Sequence, residues 1–225
     1  EVVGVDIGIK SLAVCSDGTV FENRKTLYRH EKKLAYLQRE LSRRKKGSHN
    51  REKTRAKLAR LHQKVANIRE NTLHTISRHV TAKTKPSVVV IEDLNVAGML
   101  ENVHLSKAIS DASMGELRRQ IEYKAKWNGV DVLVADRWFP SSKLCSRCGA
   151  IKETLSLSER VYVCECGNVI DRDLNAALNL AALGRRGEAP RIACGVVGQQ
   201  DDTVKQEGGT PVRPPAVAAQ AVTPS

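Results

Sequence analysis

Hydrophobic residues fall into three short runs at the start of the chain, at residues 2–5, 12–15 and 19–22. Each run has the length and the β-branched content that are typical of a strand. Residues 16–18, Ser-Asp-Gly, supply a turn between the second and third runs. The pattern therefore predicts an antiparallel meander of three strands at the start of the fold.

The hydrophobic pattern then changes to a helical period. Leucines recur at helical spacing up to Leu41, residues 47–50 interrupt the pattern, and the stripe resumes from Leu58 to Ile76. Two helices separated by a short break predict a long helical hairpin over residues 27–82. Its tip is the basic segment at residues 43–50.

The next part of the chain alternates between strand and helix patterns. Residues 88–91, Val-Val-Val-Ile, form a continuous apolar run that indicates a strand buried on both faces. Residues 95–110 have weak periodicity and predict a loop with one short helix, whereas residues 113–127 predict a longer helix. A further strand at 130–135 completes a right-handed crossover between parallel strands. Together these elements predict an α/β fold with a mixed central sheet.

Four cysteines form a second, separate pattern. Cys145 and Cys148 make one pair, Cys164 and Cys166 make the other, and a glycine follows each pair. A glycine at that place lets the backbone turn so that both thiolates point at one ion. The spacing predicts a zinc ribbon over residues 138–170 with a structural Zn²⁺, and its second knuckle is one residue tighter than the usual CxxC.

Two disulfides are the alternative interpretation of these cysteines. The sequence shows no secretory signal and no apolar run long enough to cross a membrane, so a reducing cytosol is the expected compartment. Metal binding is therefore favoured, in a cytoplasmic, nucleoid-associated protein of a bacterial or archaeal cell. Cys15 and Cys194 lie outside the pattern and are interpreted as a buried apolar residue and an exposed free thiol.

The segment after the cysteines predicts a final helix over residues 171–183. Asp171 is a good N-cap, and Asp173 then falls in the first turn, where the helix dipole favours a carboxylate. Residues 184–225 are rich in Gly, Pro, Gln and small side chains. This composition predicts a disordered tail.

Charge is distributed unevenly along the chain. The net charge is +12, and residues 24–78 contain 18 lysines and arginines against four glutamates. One reading is a solvated helix face; the shortage of compensating acids favours contact with phosphate backbones. The residues proposed for that contact are Arg43, Arg44, Lys45, Lys46, Arg51, Lys53 and Arg55.

Acidic residues stand at the ends of two predicted strands. Asp6 ends the first strand, and Glu92 follows the buried run at 88–91. Ligands of open α/β sheets bind at the carboxyl ends of the strands. Asp6 taken alone fits a turn residue and a metal ligand equally well. If Asp173 joins the other two acids, the three carboxylates can hold two divalent cations about 4 Å apart, and magnesium suits such ligands.

Four segments together resemble the TnpB family of insertion-sequence proteins, also called OrfB, which is related to type V CRISPR effector nucleases. The segments are GVDIGIKSLAV, VVVIEDLNVAGM, FPSSKLCSRCG and CGNVIDRDLNAALNL. The resemblance covers residues 1–183 and implies an RNase H-like (RuvC) nuclease core in residues 1–137, with a target-nucleic-acid-binding zinc ribbon inserted before the last helix. It further implies RNA-guided DNA cleavage, with DNA and a guide RNA as partners.

The same resemblance assigns the catalytic residues. It places catalytic magnesium ligands at Asp6, Glu92 and Asp173, and it alone selects Asp173 over Asp171. Supporting roles fall to the residues that neighbour these acids in the motifs, which are Asp93, Asp171 and Arg172.

Family members usually carry an amino-terminal half that binds the guide RNA, and this sequence starts directly before the first RuvC strand. The expectation is therefore a fragment, a partial gene or a shortened copy. The leading hypothesis is a magnesium-dependent DNA endonuclease part of a transposon protein, leaving 5′-phosphate and 3′-hydroxyl ends. The alternative is a nucleic-acid-binding regulator of transposition that does not cut. A purely structural or transcriptional zinc module ranks last because it leaves the acids unexplained.

Overall fold

The computed structural model describes residues 1–156 and 158–189. Its centre is a five-stranded sheet in the order β3-β2-β1-β4-β5. The strands are β1 Val2–Asp6, β2 Ser11–Cys15, β3 Val20–Glu22, β4 Val88–Glu92 and β5 Asp131–Ala135.

The sheet is mixed, as the sequence pattern predicts. β1, β2 and β3 pair antiparallel, and β4 lies between β1 and β5 with both pairings parallel. Val5 pairs with Ile91, so the next residues, Asp6 and Glu92, end neighbouring strands at the same edge. The sheet order thus brings two acids together that are far apart in the sequence.

Five helices lie between β3 and β5 in the chain, two before β4 and three after it. They are α1 Thr26–Arg43, α2 His49–Arg78, α3 Val96–Leu100, α4 Ser106–Ala112 and α5 Met114–Trp127. α1 and α2 form the expected hairpin, held by buried leucines, and α2 continues into a π-helical turn at His79–Lys83. Two short helices, α3 and α4, occupy residues 95–112, where the sequence predicted a loop with a single helix.

The second half adds a small module and the last helix. Two short strands, β6 Val161–Val163 and β7 Val169–Asp171, pair antiparallel, and α6 spans Arg172–Arg186. We call residues 141–171 the cysteine module. No helix in the described part of the chain is long and apolar enough to cross a membrane.

α6 ends later than the sequence predicted. Its last residue is Arg186, and Gly187, with φ 71°, ends it in the left-handed conformation. The predicted boundary at residue 183 was placed where the composition changes to Gly, Pro, Gln and small side chains. Gly184 lies against the sheet, where a Cβ would come 2.5 Å from Val90 Cγ2. Residues 184–186 are therefore helical, and the rest of the predicted tail from residue 190 onward, with Cys194, lies outside the described residues.

The sheet has a helical layer on each face. α5 and the end of α2 cover one face with residues such as Ile76, Leu117 and Ile121. α6 covers the other face, where Leu180 and Leu183 meet the sheet. Burial on both faces explains why β1 and β4 consist of apolar runs without polar alternation.

Candidate active site and metal centre

The carboxyl edge of the sheet collects the three acids that the sequence singled out. Asp6 ends β1 and Glu92 ends β4. α6 lies on β1 and runs from Asp173 in its first turn toward Gly184, whose Cα faces Val2 at the opposite edge. The direction of α6 therefore puts Asp173 on the side where β1 and β4 end.

The electrostatic environment of Asp6 includes the other two acids. Burial raises the pKa of Asp6 well above its ordinary value, and the negative charges of Glu92 and Asp173 raise it further, whereas Arg172 acts in the opposite direction. Burial also raises the pKa of Glu92, while a hydrogen bond from Ser141 opposes that shift. Glu92 and Asp173 each act more strongly on Asp6 than Arg172 does.

The three carboxylates are more stable with a divalent cation bound than without one. The cation offsets both the cost of burying their negative charge and the repulsion between them. The donor set consists of oxygen atoms, which magnesium prefers. The three carboxylates do not all lie within 4.8 Å of one another, unlike the two groups of ligand atoms found in the described residues. Two ions about 4 Å apart can share acids that do not touch each other.

The first group of close ligand atoms contains all four cysteines of the module. The Sγ atoms of Cys145 and Cys166 are 3.7 Å apart, and those of Cys148 and Cys164 are 3.6 Å apart. Tetrahedral zinc with bonds of about 2.3 Å separates its sulfur ligands by about 3.8 Å. The cluster can therefore hold a metal ion such as zinc, and the shorter second knuckle still reaches the common centre.

The four thiols cannot all ionise at neutral pH without a cation. Although burial opposes the shift, backbone N–H groups and the amide of Asn168 lower the pKa of Cys145 to about 6. The pKa of Cys164 rises to about 12 because burial and the neighbouring thiols outweigh the Cys166 backbone N–H. Metal binding would replace this repulsion with shared coordination.

The second group of close ligand atoms is Cys15, Asp17 and His79. Cys15 is fully buried, as the sequence predicted, and burial raises the pKa of its thiol to about 12, with Asp17 adding to the shift. His79 Nε2 lies 3.2 Å from an Asp17 carboxylate oxygen. This pair ties the β2–β3 turn to the end of α2.

Sequence analysis missed the side chains that attach the cysteine module to the carboxyl edge. The Ser141 hydroxyl donates a hydrogen bond to the Glu92 carboxylate. Asn179 Nδ2 donates to two backbone oxygens, those of Ser141 and Leu144, each at 2.7 Å. The start of the module is therefore fixed to both α6 and a candidate metal ligand.

A second asparagine one turn earlier in α6 completes this attachment. Asn175 Nδ2 donates to Leu144 O at 2.6 Å, and Asn175 Oδ1 accepts from the backbone N–H of Ser146 at 3.0 Å. Asn175 and Asn179 are 0% and 2% exposed. Two amides four residues apart within an apolar helical stripe were the available signal, because a buried amide requires partners.

The residues that neighbour the acids in their motifs have defined contacts. Asp93 is paired with Arg118 and Arg137 at 3.0 and 3.1 Å. The hydrogen bond from Arg118 lowers the pKa of Asp93, with Arg137 contributing and burial opposing. Asp171 caps α6, since its Oδ1 accepts from the backbone N–H groups of Asp173 and Leu174.

The basic residues at the hairpin tip divide into two sets. Arg44 pairs with Glu40, Arg55 pairs with Glu52, and Arg51 donates to the carbonyl of Arg44 at the end of α1. The other four, which are exposed and have no ion pair in the described chain, are Arg43, Lys45, Lys46 and Lys53.

Comparison with known families matches two consecutive regions. Residues 1–103 match OrfB_IS605, described as "Probable transposase", and residues 115–180 match the domain described as "Cas12f1-like, TNB domain". The first region contains two of the acids together with the hairpin. The second contains the cysteine module and Asp173.

Curated relatives and solved structures agree with these matches. A Streptomyces pristinaespiralis protein named "Putative RNA-guided DNA endonuclease" is 46% identical over 83% of this chain and 46% of its own length. An Escherichia coli K12 protein named "Putative RNA-guided DNA endonuclease InsQ" is 37% identical over 92% of this chain and 54% of its own length. The chain thus spans about half the length of the curated relatives it matches.

Two electron cryomicroscopy structures share the fold. One is a Cas12f1–sgRNA–target DNA complex, with a TM-score of 0.56, 21% identity, and coverage of 80% of this chain and 49% of that chain. The other is a CRISPR–Cas12f ternary complex, with a TM-score of 0.58, 24% identity, and coverage of 80% and 38%. At such identities the likeness shows the fold alone. The sequence matches show that the chain is similar to OrfB (TnpB)-type proteins over residues 1–103 and to the Cas12f1-like TNB domain over residues 115–180.

Proposed function

We propose that this chain is the magnesium-dependent DNA endonuclease part of a TnpB-type transposon protein. The observation that carries the proposal is the placement of Asp6 and Glu92 at the ends of neighbouring parallel strands, with α6 directing Asp173 toward the same edge. Burial and, after it, the charges of Glu92 and Asp173 raise the pKa of Asp6 there. The sheet and α6 then form an RNase H-like (RuvC) core, and the cysteine module is a zinc ribbon that binds target nucleic acid. In the complete protein a guide RNA selects the DNA.

The three carboxylates hold two magnesium ions in this proposal. When bound, such ions activate the attacking water and stabilise the leaving oxygen of a phosphodiester. The water oxygen bonds to phosphorus, the bond to the 3′ oxygen breaks, and the products are a 5′-phosphate and a 3′-hydroxyl. The protein's own part is to fix the acids: β1 and β4 place Asp6 and Glu92, Ser141 orients Glu92, and the first turn of α6 presents Asp173.

A pair of variants in α6 tests the assignment. Asp173→Asn is expected to lower magnesium-dependent cleavage of labelled single-stranded DNA by about 100-fold or more, because it removes a ligand charge. Asp171→Asn is the matched control, since asparagine caps a helix as well as aspartate does. It should cost less than about tenfold and leave the melting temperature unchanged within about 2 °C.

Equal cleavage by wild type and Asp173→Asn would remove the nuclease assignment. A larger loss for Asp171→Asn than for Asp173→Asn would exchange the roles of the two acids. Both variants keep the cysteines, so their zinc content serves as an internal check that the module is intact.

The substrate strand is proposed to cross the segment that joins β5 to the cysteine module. Trp138 lies there, 85% exposed, three residues before the serine that binds Glu92. An Asp136 carboxylate accepts a hydrogen bond from the Trp138 backbone N–H at 2.8 Å, which fixes this turn. An exposed indole beside the acids offers a stacking surface for an unpaired base.

Trp138→Ala is therefore expected to weaken single-stranded DNA binding by about 5- to 150-fold, which corresponds to the stacking of one base. Trp127→Ala is the matched control, because Trp127 is 76% exposed but ends α5 at the opposite edge of the sheet. Fluorescence anisotropy with calcium in place of magnesium measures affinity without cleavage. Similar losses for both variants would contradict the proposed path.

A regulator that binds nucleic acid without cutting is the second candidate. The exposed, unpaired cations at the hairpin tip favour it, because phosphate contacts alone give strong, salt-dependent binding. That function predicts unchanged binding in Asp173→Asn and no cleavage with any divalent metal. The same cations would contact guide RNA or DNA in the nuclease.

A further inference from the structure

We infer that a metal ion in the cysteine module strengthens cation binding at the carboxylate site, by holding Ser141 against Glu92 through the two buried asparagines of α6. The inference rests on the proposed function, because it assumes that Glu92 is a ligand of the catalytic cations. It adds a coupling between two metal sites that otherwise have separate roles.

The first step is the short path between the two sites. Ser141 donates to the Glu92 carboxylate, and Cys145, only four residues later, is one of the four clustered thiols. The chain between them is folded tightly, with Lys143 and Leu144 each donating a backbone hydrogen bond to Pro140 O. A displacement of Cys145 is therefore expected to displace Ser141 as well, because the segment between them is folded into a tight turn.

The second step is the clamp that holds this segment on α6. Leu144 O accepts hydrogen bonds from Asn175 and Asn179 together, at 2.6 and 2.7 Å. Asn179 also binds Ser141 O, and Asn175 also binds the backbone N–H of Ser146. Because both amides are buried, displacement of the segment from α6 would leave buried polar groups without hydrogen-bond partners. We therefore expect these four hydrogen bonds, which form the clamp, to be made (closed) or broken (open) together.

The third step is the effect of metal in the module. The Sγ atoms of Cys145 and Cys166 lie 3.7 Å apart and those of Cys148 and Cys164 lie 3.6 Å apart, close to the separation that tetrahedral zinc gives its sulfur ligands. Metal coordination fixes Cys145 and thereby favours the closed clamp. When the clamp is closed, Ser141 orients Glu92; when it opens, Glu92 loses that donor. Coupling of this kind must be reciprocal, so a cation at the carboxylates also favours zinc retention.

Manganese binding tests the coupling without any cleavage step. Electron paramagnetic resonance measures Mn²⁺ affinity of the full chain with zinc bound and after zinc removal, and manganese favours oxygen over thiolate ligands. Zinc removal is expected to weaken Mn²⁺ binding of the wild type by about tenfold. In Ser141→Ala the affinity should already be low, and zinc removal should change it by less than about twofold.

Two outcomes overturn the coupling. One is an Mn²⁺ affinity in wild type that does not depend on zinc, and the other is a Ser141→Ala protein in which the zinc effect remains in full. Ser141→Thr keeps the hydroxyl and should restore the behaviour of the wild type, which a merely structural role of the side-chain volume would not do.

A further variant keeps the test decisive if the zinc-free protein unfolds. Asn179→Leu removes the two clamp hydrogen bonds of Asn179 and keeps a side chain of similar size. With zinc content unchanged, it should lower Mn²⁺ affinity by about tenfold; an unaltered affinity would overturn the inference. Asp6→Asn tests the proposed carboxylate site independently of the coupling. If Asp6→Asn leaves Mn²⁺ affinity unchanged, the assignment of the cation site to these carboxylates is wrong. If only the zinc dependence is absent, the coupling is wrong and the assignment of the site is unaffected.

Discussion

Asp6→Asn is expected to abolish DNA cleavage and, in the metal-free protein, to raise the melting temperature. The loss of cleavage should be about 100-fold or more, because the buried ligand loses its charge. The gain in stability arises because burial, Glu92 and Asp173 all disfavour the Asp6 carboxylate when no cation is bound. Relief of that cost should raise the melting temperature by about 2–4 °C for each kcal/mol.

The pH dependence of the free energy of unfolding provides a second test of the raised pKa of Asp6. The folded-state pKa of Asp6 lies above its unfolded value, so folding binds a proton in the interval between them. The stabilising contribution is complete below the unfolded pKa of about 3.9 and is lost as pH rises through the raised folded pKa. Metal-free wild type should therefore lose stability over that window. Asp6→Asn should lose less, and magnesium should protect the wild type only.

Asp17→Asn provides the control of opposite sign. Although burial acts against it, hydrogen bonds from the Thr19 backbone and side chain and from His79 lower the pKa of Asp17. Its replacement should therefore not stabilise the protein, and it should leave cleavage intact because Asp17 lies in the β2–β3 turn, where its partners are His79 and Thr19. A lower melting temperature for metal-free Asp6→Asn would show that the Asp6 carboxylate stabilises the fold. It would contradict the interpretation that burial, Glu92 and Asp173 disfavour the charged form of Asp6.

The sheet and the cysteine cluster were predictable because their signals are local. Apolar runs identify β1 and β4, and the crossover rule predicts the parallel pairing of β4 with β5. Two cysteine pairs with following glycines identify a metal centre without any knowledge of the surrounding fold. The convergence of Asp6 with Glu92 also follows from strand ends, since parallel neighbours end at one edge.

The attachment of the cysteine module was not predictable in the same way. Asn175 and Asn179 bind backbone groups about 30 or more residues earlier in the chain. Hydrophobic periodicity treats an asparagine as a solvent-facing residue, and it contains no information about which distant carbonyl will accept from it. Spacing likewise could not choose between Asp171 and Asp173. In the structure Asp171 caps α6, and the selection of Asp173 stays a prediction from the family resemblance.

Glycine at position 184 shows a related limit. The change in composition after residue 183 led the sequence analysis to end α6 there. In the structure the missing side chain of Gly184 lets α6 approach Val2 and Val90 closely. Composition likewise could not show that Arg51, a candidate phosphate contact, donates to a backbone carbonyl within the hairpin.

Gly4→Ala is expected to destabilise the protein by about 3 kcal/mol, through an overpacked contact that cannot relax by changing rotamers. A Cβ at Gly4 would lie 2.1 Å from Ala177 O and 2.5 Å from Ala181 N. Both atoms belong to the α6 backbone, so α6 must move away from β1 as a body. Because α6 carries Asp173, the same movement should also reduce cleavage in the protein that remains folded.

Gly115→Ala is the matched control, since Gly115 lies in α5 and a Cβ there meets nothing within 4 Å. It should leave the stability unchanged or raise it by up to about 1 kcal/mol, because alanine has the higher helix propensity and Gly115 lies in the first turn of α5. Chemical unfolding monitored by circular dichroism measures both variants, and zinc content should be equal in the two. If Gly4→Ala unfolds at the same denaturant concentration as the wild type, α6 does not lie on β1 at this distance. The packing of α6 on β1, from which the position of Asp173 near Asp6 and Glu92 is inferred, would then be contradicted as well.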